Sequence, residues 1–416
     1  MDDGSKAPGF LVRFSAALRH RNYRYYFAGI AVSYVGVWMQ IVAVGWLAYR
    51  LTNSKTILGA VTALETLPAL FLAFYAGTVA DRIDRKRMLT ATQILFAAQA
   101  AALALLYYDG HMTLGWLFAL ALVGGVADAF YIPTRSAFVV EVVGPESLLN
   151  ANALGSMVFN GARIIGPVLA GLVVSRFGEG GAFLANAVGF TAAALTMLPI
   201  RVAPRVGEAP TQRSVAADMR EGLAYLRTHP FLARLASGMA IYSIFGMNYI
   251  VLMPAFARDV FHGNARTLGW LFAAMGVGAL VSAAVTAGSS GRPRWGTLFA
   301  TALALPISQI AFAYAGDLRA ALALLALVGF SVVAYWIRMN TLIQTSADEA
   351  MLGRVMGLYT TIIMGLGPVG SLLAGSVADR LGAPFAIASG CAVCVVAGIW
   401  LFLAVRGPVR AQYAEG

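Results

Sequence analysis

Three ionisable side chains stand in stretches of sequence that are otherwise apolar. Glu65, Asp128 and Arg163 each lie about 8 to 15 residues inside such a stretch, which places them near the middle of a bilayer if the stretches are membrane-spanning helices. A charged side chain at that depth is costly, so each of the three is a candidate for function. We predict that Asp128 or Glu65 exchanges a proton, and that Arg163 shifts the pKa of whichever acid it approaches.

Each of these residues also has a simpler interpretation. Asp128 and Arg163 could form a static ion pair that holds two helices together, and Glu65 could face a water-filled cavity without exchanging protons. Arg163 could instead attract an anionic substrate such as a catecholate. The sequence leaves these alternatives open.

Other residue types that carry chemistry give no sign of catalysis. The four histidines lie in loops or near the ends of apolar stretches, and no zinc motif or histidine-supported serine nucleophile is present. None of the lysines, Lys6, Lys55 and Lys86, completes a phosphate-binding loop. Cys391 and Cys394 fit as small packing residues. We therefore expect no metal, no cofactor and no enzymatic activity, and keep a membrane-embedded enzyme only as the least favoured alternative.

The composition identifies the elements that must position these residues. Of the 416 residues 59% are apolar and 12% are charged, against roughly 25% charged in a soluble domain. Twelve apolar stretches of helix length follow one another with short connections: 25–49, 57–80, 88–108, 112–134, 149–175, 180–200, 235–257, 267–288, 295–315, 320–343, 351–378 and 383–405. This pattern predicts an all-α membrane protein with 12 transmembrane helices.

The positive charges indicate how these helices are oriented. The net charge is +11, and most arginines and lysines fall in connections on the same side as the two termini. Basic loops stay in the cytoplasm, so we predict cytoplasmic N- and C-termini in a bacterial-type plasma (inner) membrane. The basic charge then reflects membrane topology; the lipid bilayer is the expected surroundings, and no nucleic acid is expected as a partner.

A short signature recurs once in every three predicted helices. It reads Gly77-Thr-Val-Ala-Asp81-Arg82 at the end of the second and Gly375-Ser-Val-Ala-Asp379-Arg380 at the end of the eleventh, with weaker copies at 171–178 and 288–294. Adjacent copies fall on opposite membrane faces, as three-helix inverted repeats require. We predict two six-helix bundles of 3+3 inverted repeats, 1–200 and 231–416, joined by a cytoplasmic linker, 201–230, that contains an amphipathic surface helix.

The first copy continues to Arg85-Lys86-Arg87 and resembles the loop 2–3 signature G-x-L-A-D-R-x-G-R-K-R of the major facilitator superfamily, with Val79 and Asp84 as departures. Further segments resemble the enterobactin-exporter and macrolide-efflux branch: 21–24, 51–54, 137–152 and 159–167. The resemblance implies a monomeric secondary transporter that exports amphiphilic small molecules, of the drug or siderophore class, by alternating access. With the two acids it predicts proton coupling. A facilitator or importer of the same fold remains the alternative.

The same resemblance implies gating residues. Gly77 and Asp81 would meet the start of helix 11 and stabilise the outward-facing state, with Arg82, Arg85 and Lys86 pairing to acids there. Simple anchoring by positive charge is the alternative for Arg85 and Lys86. Gly166 and Pro167 lie in a segment similar to the antiporter signature of helix 5, where ordinary close packing is the alternative.

The substrate pocket is predicted on helices 1 and 7, which flank the central cavity in the fold that the chain resembles. Aromatic residues with a few polar groups suit an amphiphilic ligand. The candidates are Tyr34, Trp38, Tyr242, Phe245, Asn248 and Tyr249. For each of them packing against a neighbour, or exposure to lipid, is the alternative.

Overall fold

The computed structural model describes residues 16–201, 215–288 and 295–414, and all the regular structure in these ranges is helical. The helices are long and apolar, as the sequence predicts. They are α1 Arg21–Thr52, α2 Lys55–Arg82, α3 Arg85–Tyr108, a continuous run Leu114–Met197, α7 Pro230–Val260, α8 Ala265–Gly288, α9 Trp295–Ala313, α10 Leu318–Ser346, α11 Leu352–Leu381 and α12 Ala383–Ala414.

The 84-residue run is three helices joined by two sharp turns. Gly144 and Gly178 have φ angles of 69° and 70°, a left-handed conformation that glycine adopts without a steric penalty. The run therefore comprises α4 (114–143), α5 (145–177) and α6 (179–197). Dividing it in this way brings the ten candidate membrane spans of the described residues to twelve. The predicted all-α, multi-span fold is confirmed, and the predicted number of spans is consistent with it.

Several helices begin where a side chain accepts a hydrogen bond from the first turn. Ser54 caps α2, Asp84 caps α3, Thr113 caps α4 and Asp317 caps α10. Inside lipid, backbone groups must be satisfied within the helix, so capping residues belong at the water-facing ends. These caps explain why the connections between the helices can be short.

α1 to α6 are here called the N-terminal bundle and α7 to α12 the C-terminal bundle. α2 packs against α11 and α5 against α8, in both cases through glycines that leave no room for a side chain. A Cβ atom on Gly59 would lie 2.3 Å from the Ser371 carbonyl oxygen, and one on Gly171 would lie 2.9 Å from the Arg266 Cα. Small residues permit such close helix contacts, so these two seams hold the bundles together.

A short helix, Val215–Thr228, lies within the predicted linker, of which 202–214 is outside the described residues. It contacts the start of α11 through two polar pairs. The Tyr225 hydroxyl donates to an Asp348 carboxylate oxygen at 2.9 Å, and Arg354 lies 3.2 Å from Glu221. Leu226 is buried against the bundles. These contacts attach the short helix to the start of α11.

Candidate transport site and gates

Two acids lie on adjoining helices in the membrane-embedded part of the N-terminal bundle. Glu65 lies on α2 and Asp128 on α4, and these helices touch at Gly125, where a Cβ atom would lie 2.3 Å from the Glu65 carbonyl oxygen. Asp128 follows Gly125 by about one helical turn, so its charge acts on the Glu65 carboxyl group. Neither carboxylate forms a hydrogen bond or an ion pair with the described residues. The arrangement can hold protons without a fixed counter-ion.

Arg163 lies apart from both acids, at the junction of the two bundles. Its guanidinium group is 5.5 Å from the centre of the Trp38 ring, and its Nη2 atom is 3.4 Å from Met275 Sδ. The group also lies beside the Tyr249 hydroxyl. The structure thus brings Arg163 together with two predicted pocket residues, one from each bundle. It does not form the Asp128–Arg163 ion pair that the sequence left open.

The other pocket candidates divide between two environments. Tyr34 is buried and its hydroxyl is bonded to the Arg135 guanidinium. Phe159 of α5 contacts the rings of both Tyr34 and Trp38, with ring centres 5.4 Å and 5.8 Å apart. Phe159 and Arg135 extend the candidate pocket beyond the residues singled out from the sequence. Phe159 precedes Arg163 by four residues and Arg135 follows Asp128 by seven, so helical periodicity could have placed each on the same face as its candidate residue.

On α7 the candidates face different directions. The Tyr242 hydroxyl donates to the Ala302 carbonyl oxygen at 2.6 Å, and the Tyr242 ring stacks on the Tyr335 ring with ring centres 4.6 Å apart. Tyr242 therefore packs inside the C-terminal bundle. Asn248 donates to the Ile244 carbonyl oxygen at 2.5 Å, and Phe245 is half-buried. Of these side chains only Tyr249 meets Arg163.

At one end of the molecule, here called the outer end, polar contacts join the two bundles. The Asp379 carboxylate on α11 accepts hydrogen bonds from Ser54 Oγ at 2.7 Å and from the backbone N–H groups of Lys55 at 2.7 Å and Thr56 at 2.9 Å. A helix N-terminus attracts negative charge, so Asp379 binds the start of α2 as an external cap. We call this the Asp379 contact.

Further contacts at the outer end support the Asp379 contact. The Lys55 ammonium group lies 3.2 Å from the carboxylate of Asp259 on α7, which is also bonded to the Tyr49 hydroxyl. Arg266 Nε donates to Ser175 Oγ at 3.1 Å, which joins α8 to α5. The bundles are therefore closed against each other at this end.

The loop signature lies at the opposite, inner end. The surroundings of Gly77 and the side chains of Asp81 and Arg82 are outside the described part of the structure. Arg85 lies 3.5 Å from Glu141 of α4, and Lys86 Nζ donates to the carbonyl oxygens of Ile200 at 2.6 Å and Leu198 at 3.1 Å. Both cations thus bind residues of their own bundle, and no contact between either of them and α11 is seen among the described residues.

Gly166 and Pro167 lie where α5 crosses α1 and α8. A Cβ atom on Gly166 would lie 2.5 Å from Trp38 Cβ, and one on Gly269 of α8 would lie 2.4 Å from the Pro167 carbonyl oxygen. The antiporter-like segment therefore forms part of the seam between the bundles, directly beside Arg163 and Trp38. It positions the candidate pocket by close packing.

Two bundles of apolar helices that enclose charged residues and close against each other at one end define a membrane transporter. The transmembrane secretion effector family model matches residues 13–414, nearly the whole sequence. The chain belongs to this family of the major facilitator superfamily.

Curated relatives agree with this assignment. The chain is 28% identical over 351 residues to the multidrug efflux pump Tap of Mycolicibacterium fortuitum, covering 82% of this chain and 85% of that protein. It is 23% identical to the staphyloferrin A transporter of Staphylococcus aureus, covering 86% and 90%. It is also 23% identical to macrolide efflux protein A of Streptococcus pyogenes, covering 85% and 89%. The resemblance seen in the sequence is confirmed.

A solved structure shares the fold. A bacterial homologue of the human lysosomal transporter Spinster, in an inward-facing and occupied conformation, superposes with a TM-score of 0.74 at 15% identity and covers 93% of this chain and 97% of that one. The family match and the curated relatives make the chain a multi-span transporter of small molecules, as predicted, and not an enzyme.

Proposed function

We propose that this protein exports amphiphilic small molecules of the drug or siderophore class across the bacterial inner membrane in exchange for protons. The observation that carries the proposal is the pair of acids, Glu65 and Asp128, which lie on adjoining membrane helices and have no basic partner among the described residues. The names of the relatives support the substrate class and the direction. We expect the protein to act as a monomer with both termini in the cytoplasm.

The acid pair supplies the coupling in this proposal. Two neighbouring carboxyl groups titrate as a linked pair when the charge on one acts on the other. Uptake of a proton from outside neutralises charge in the membrane, and release to the cytoplasm restores it. A conformational change between the two steps moves the proton inward and the substrate outward.

Alternating access is supported by the polar contacts at the outer end. The Asp379 contact and the Lys55–Asp259 pair close the outer end, while Arg85 and Lys86 of the inner signature are bound within their own bundle. With the predicted orientation this is an inward-facing state. The three predicted units, 1–200, 201–230 and 231–416, then act as two rocking bundles and a linker, and the contact of the inner signature with α11 forms in the outward-facing state.

The coupling is tested in proteoliposomes that enclose a pH-sensitive dye. Ethidium and erythromycin serve as substrates, and Asp128→Asn and Glu65→Gln are compared with the unaltered protein. Substrate-driven proton flux is expected to disappear in at least one variant, while Asp109→Asn, an exposed loop acid, serves as the matched control and keeps the flux. Survival of the flux in both variants would show that the acids do not couple transport.

A facilitator or importer of the same fold gives a different result. Collapse of the proton gradient with an ionophore stops an exporter that depends on protons, whereas a facilitator still equilibrates its substrate across the membrane. Accumulation measured in both directions in oriented vesicles distinguishes the exporter from the importer.

A further inference from the structure

Arg163 is a cation that has no carboxylate partner among the described residues, although it lies deep between the two bundles. The described ion pairs use Glu179, Asp259, Glu141 and Glu221 as acids. Glu65 and Asp128 lie on adjoining helices, and neither forms an ion pair with Arg163. A charge in the membrane interior is costly without a partner, so this position calls for a negative or strongly polar group from elsewhere.

The neighbours of Arg163 provide additional unused donors. Trp38 is 8% exposed and Tyr249 is 1% exposed, so both side chains are more than nine-tenths buried. Trp38 Nε1 and Arg163 Nε have no hydrogen-bond partner within the described residues, and Tyr249 Oη, whose neighbour is the Arg163 guanidinium group, forms no hydrogen bond of normal geometry. Buried polar atoms are nearly always paired, so three such atoms, on Arg163 and on two side chains that each adjoin it, indicate a site for a hydrogen-bond acceptor.

The surroundings of the three donors suit the apolar body of a ligand. The Trp38 ring contacts Phe159, and Arg163 also touches Met275. Aromatic and thioether groups accept flat apolar groups of varied shape. The guanidinium group presents planar N–H donors that match the two oxygens of a carboxylate.

We propose that Arg163, Trp38 and Tyr249 form a subsite that binds the acidic group of an amphiphilic substrate, with a carboxylate or phenolate oxygen as the acceptor. This inference rests on the proposed function for its substrate class and adds the ionised group that the pocket selects. Because Trp38 and Arg163 belong to the N-terminal bundle and Tyr249 to the C-terminal bundle, the bound acid links the two bundles. When the two bundles move apart, Tyr249 separates from the other two donors and the acid is released.

The test compares two probes with the same apolar body, pyrenebutyrate and pyrenebutanol. Binding to the full chain in lipid nanodiscs is measured by energy transfer from tryptophan to pyrene, corrected for protein-free nanodiscs. The acid is expected to bind about tenfold more tightly than the alcohol, as for hydrogen bonds to a charged group. Arg163→Gln removes this difference while keeping the affinity for the alcohol, and Arg163→Lys retains part of it.

The matched control is Arg338→Gln, because Arg338 is also a half-buried membrane arginine and its Nη1 atom bonds only to the Ala334 carbonyl oxygen of its own helix. This variant should keep the full preference for the acid. Equal or undetectable binding of both probes to the unaltered protein overturns the subsite. Loss of both probes together in Arg163→Gln also overturns it, since that result shows a purely structural role.

Transport measured in the same preparation separates the two proposals. If both probes bind with the expected preference but neither is moved in proteoliposomes, the exporter proposal fails and the subsite stands. If the alcohol is exported by a proton gradient but the acid has no advantage in binding, the subsite fails and the exporter stands.

Discussion

Replacement of Asp379 by alanine should shift the protein away from the conformation described here. The carboxylate accepts hydrogen bonds from one hydroxyl and two backbone N–H groups at the start of α2, with distances of 2.7, 2.7 and 2.9 Å. The loss of a helix cap costs about 1 kcal/mol and up to about 2 kcal/mol. Asp379 is exposed, so water replaces much of what is lost and larger values are not expected.

A change of about 1 to 2 kcal/mol alters the ratio of the two conformations by a factor of about 5 to 30. The shift is measured as the distance between spin labels at His111 and Tyr314, after Cys391 and Cys394 have been replaced by alanine. These exposed labelling sites lie at the outer ends of the two bundles. Asp379→Ala should increase the population at longer distances.

Asp317→Ala is the matched control for this experiment. Asp317 also caps a helix at the outer end, but it bonds to Ala320 of its own helix at 2.8 Å and does not join the bundles. The reasoning is refuted if the distance distribution in Asp379→Ala is unchanged, or if Asp317→Ala produces the same shift.

Two further predictions concern packing. Gly59→Ala places a methyl group 2.3 Å from the Ser371 carbonyl oxygen, so α2 and α11 must separate and the same spin labels should move apart. Gly155→Ala is the control: no atom lies within 4 Å of the added methyl group, so the distances between the labels should not change. Tyr242→Phe removes the hydroxyl that donates to the carbonyl oxygens of Ala302 and Cys394. It should lower the free energy of unfolding by about 0.5 to 1.5 kcal/mol, seen as a lower midpoint of thermal unfolding in detergent, with substrate affinity unaltered. A large loss of affinity would instead place Tyr242 in the pocket.

The sequence predicts depth in the membrane better than it predicts partners. The position of Glu65 and Asp128 along their helices indicated that both lie near the midplane, and in the structure they are neighbours. The same argument put Arg163 at that depth, but it could not show which helix Arg163 faces. That direction depends on how α5 packs at Gly166 against α1, which is a tertiary contact.

The residues on α7 show a second limit. Tyr242 and Tyr249 are seven residues apart, so a regular α-helix would place them on similar faces. The segment Tyr242–Gly246 is a π-helix and Met247–Asn248 departs from the regular helix, which changes the angle between the two side chains. Tyr242 therefore packs within its bundle while Tyr249 reaches Arg163. No periodic pattern in the sequence revealed this irregularity.

Under the proposed alternating access, the Asp379 contact has a consequence for the speed of transport. It uses backbone N–H groups and an exposed carboxylate at the edge of the membrane, where water can form the same hydrogen bonds as the contact breaks. Rupture therefore adds little to the activation barrier, unlike the separation of a buried ion pair. If the bundles move as proposed, we expect the slow step to be the separation of the helices at Gly59 and Gly171, where the two backbones are in direct contact.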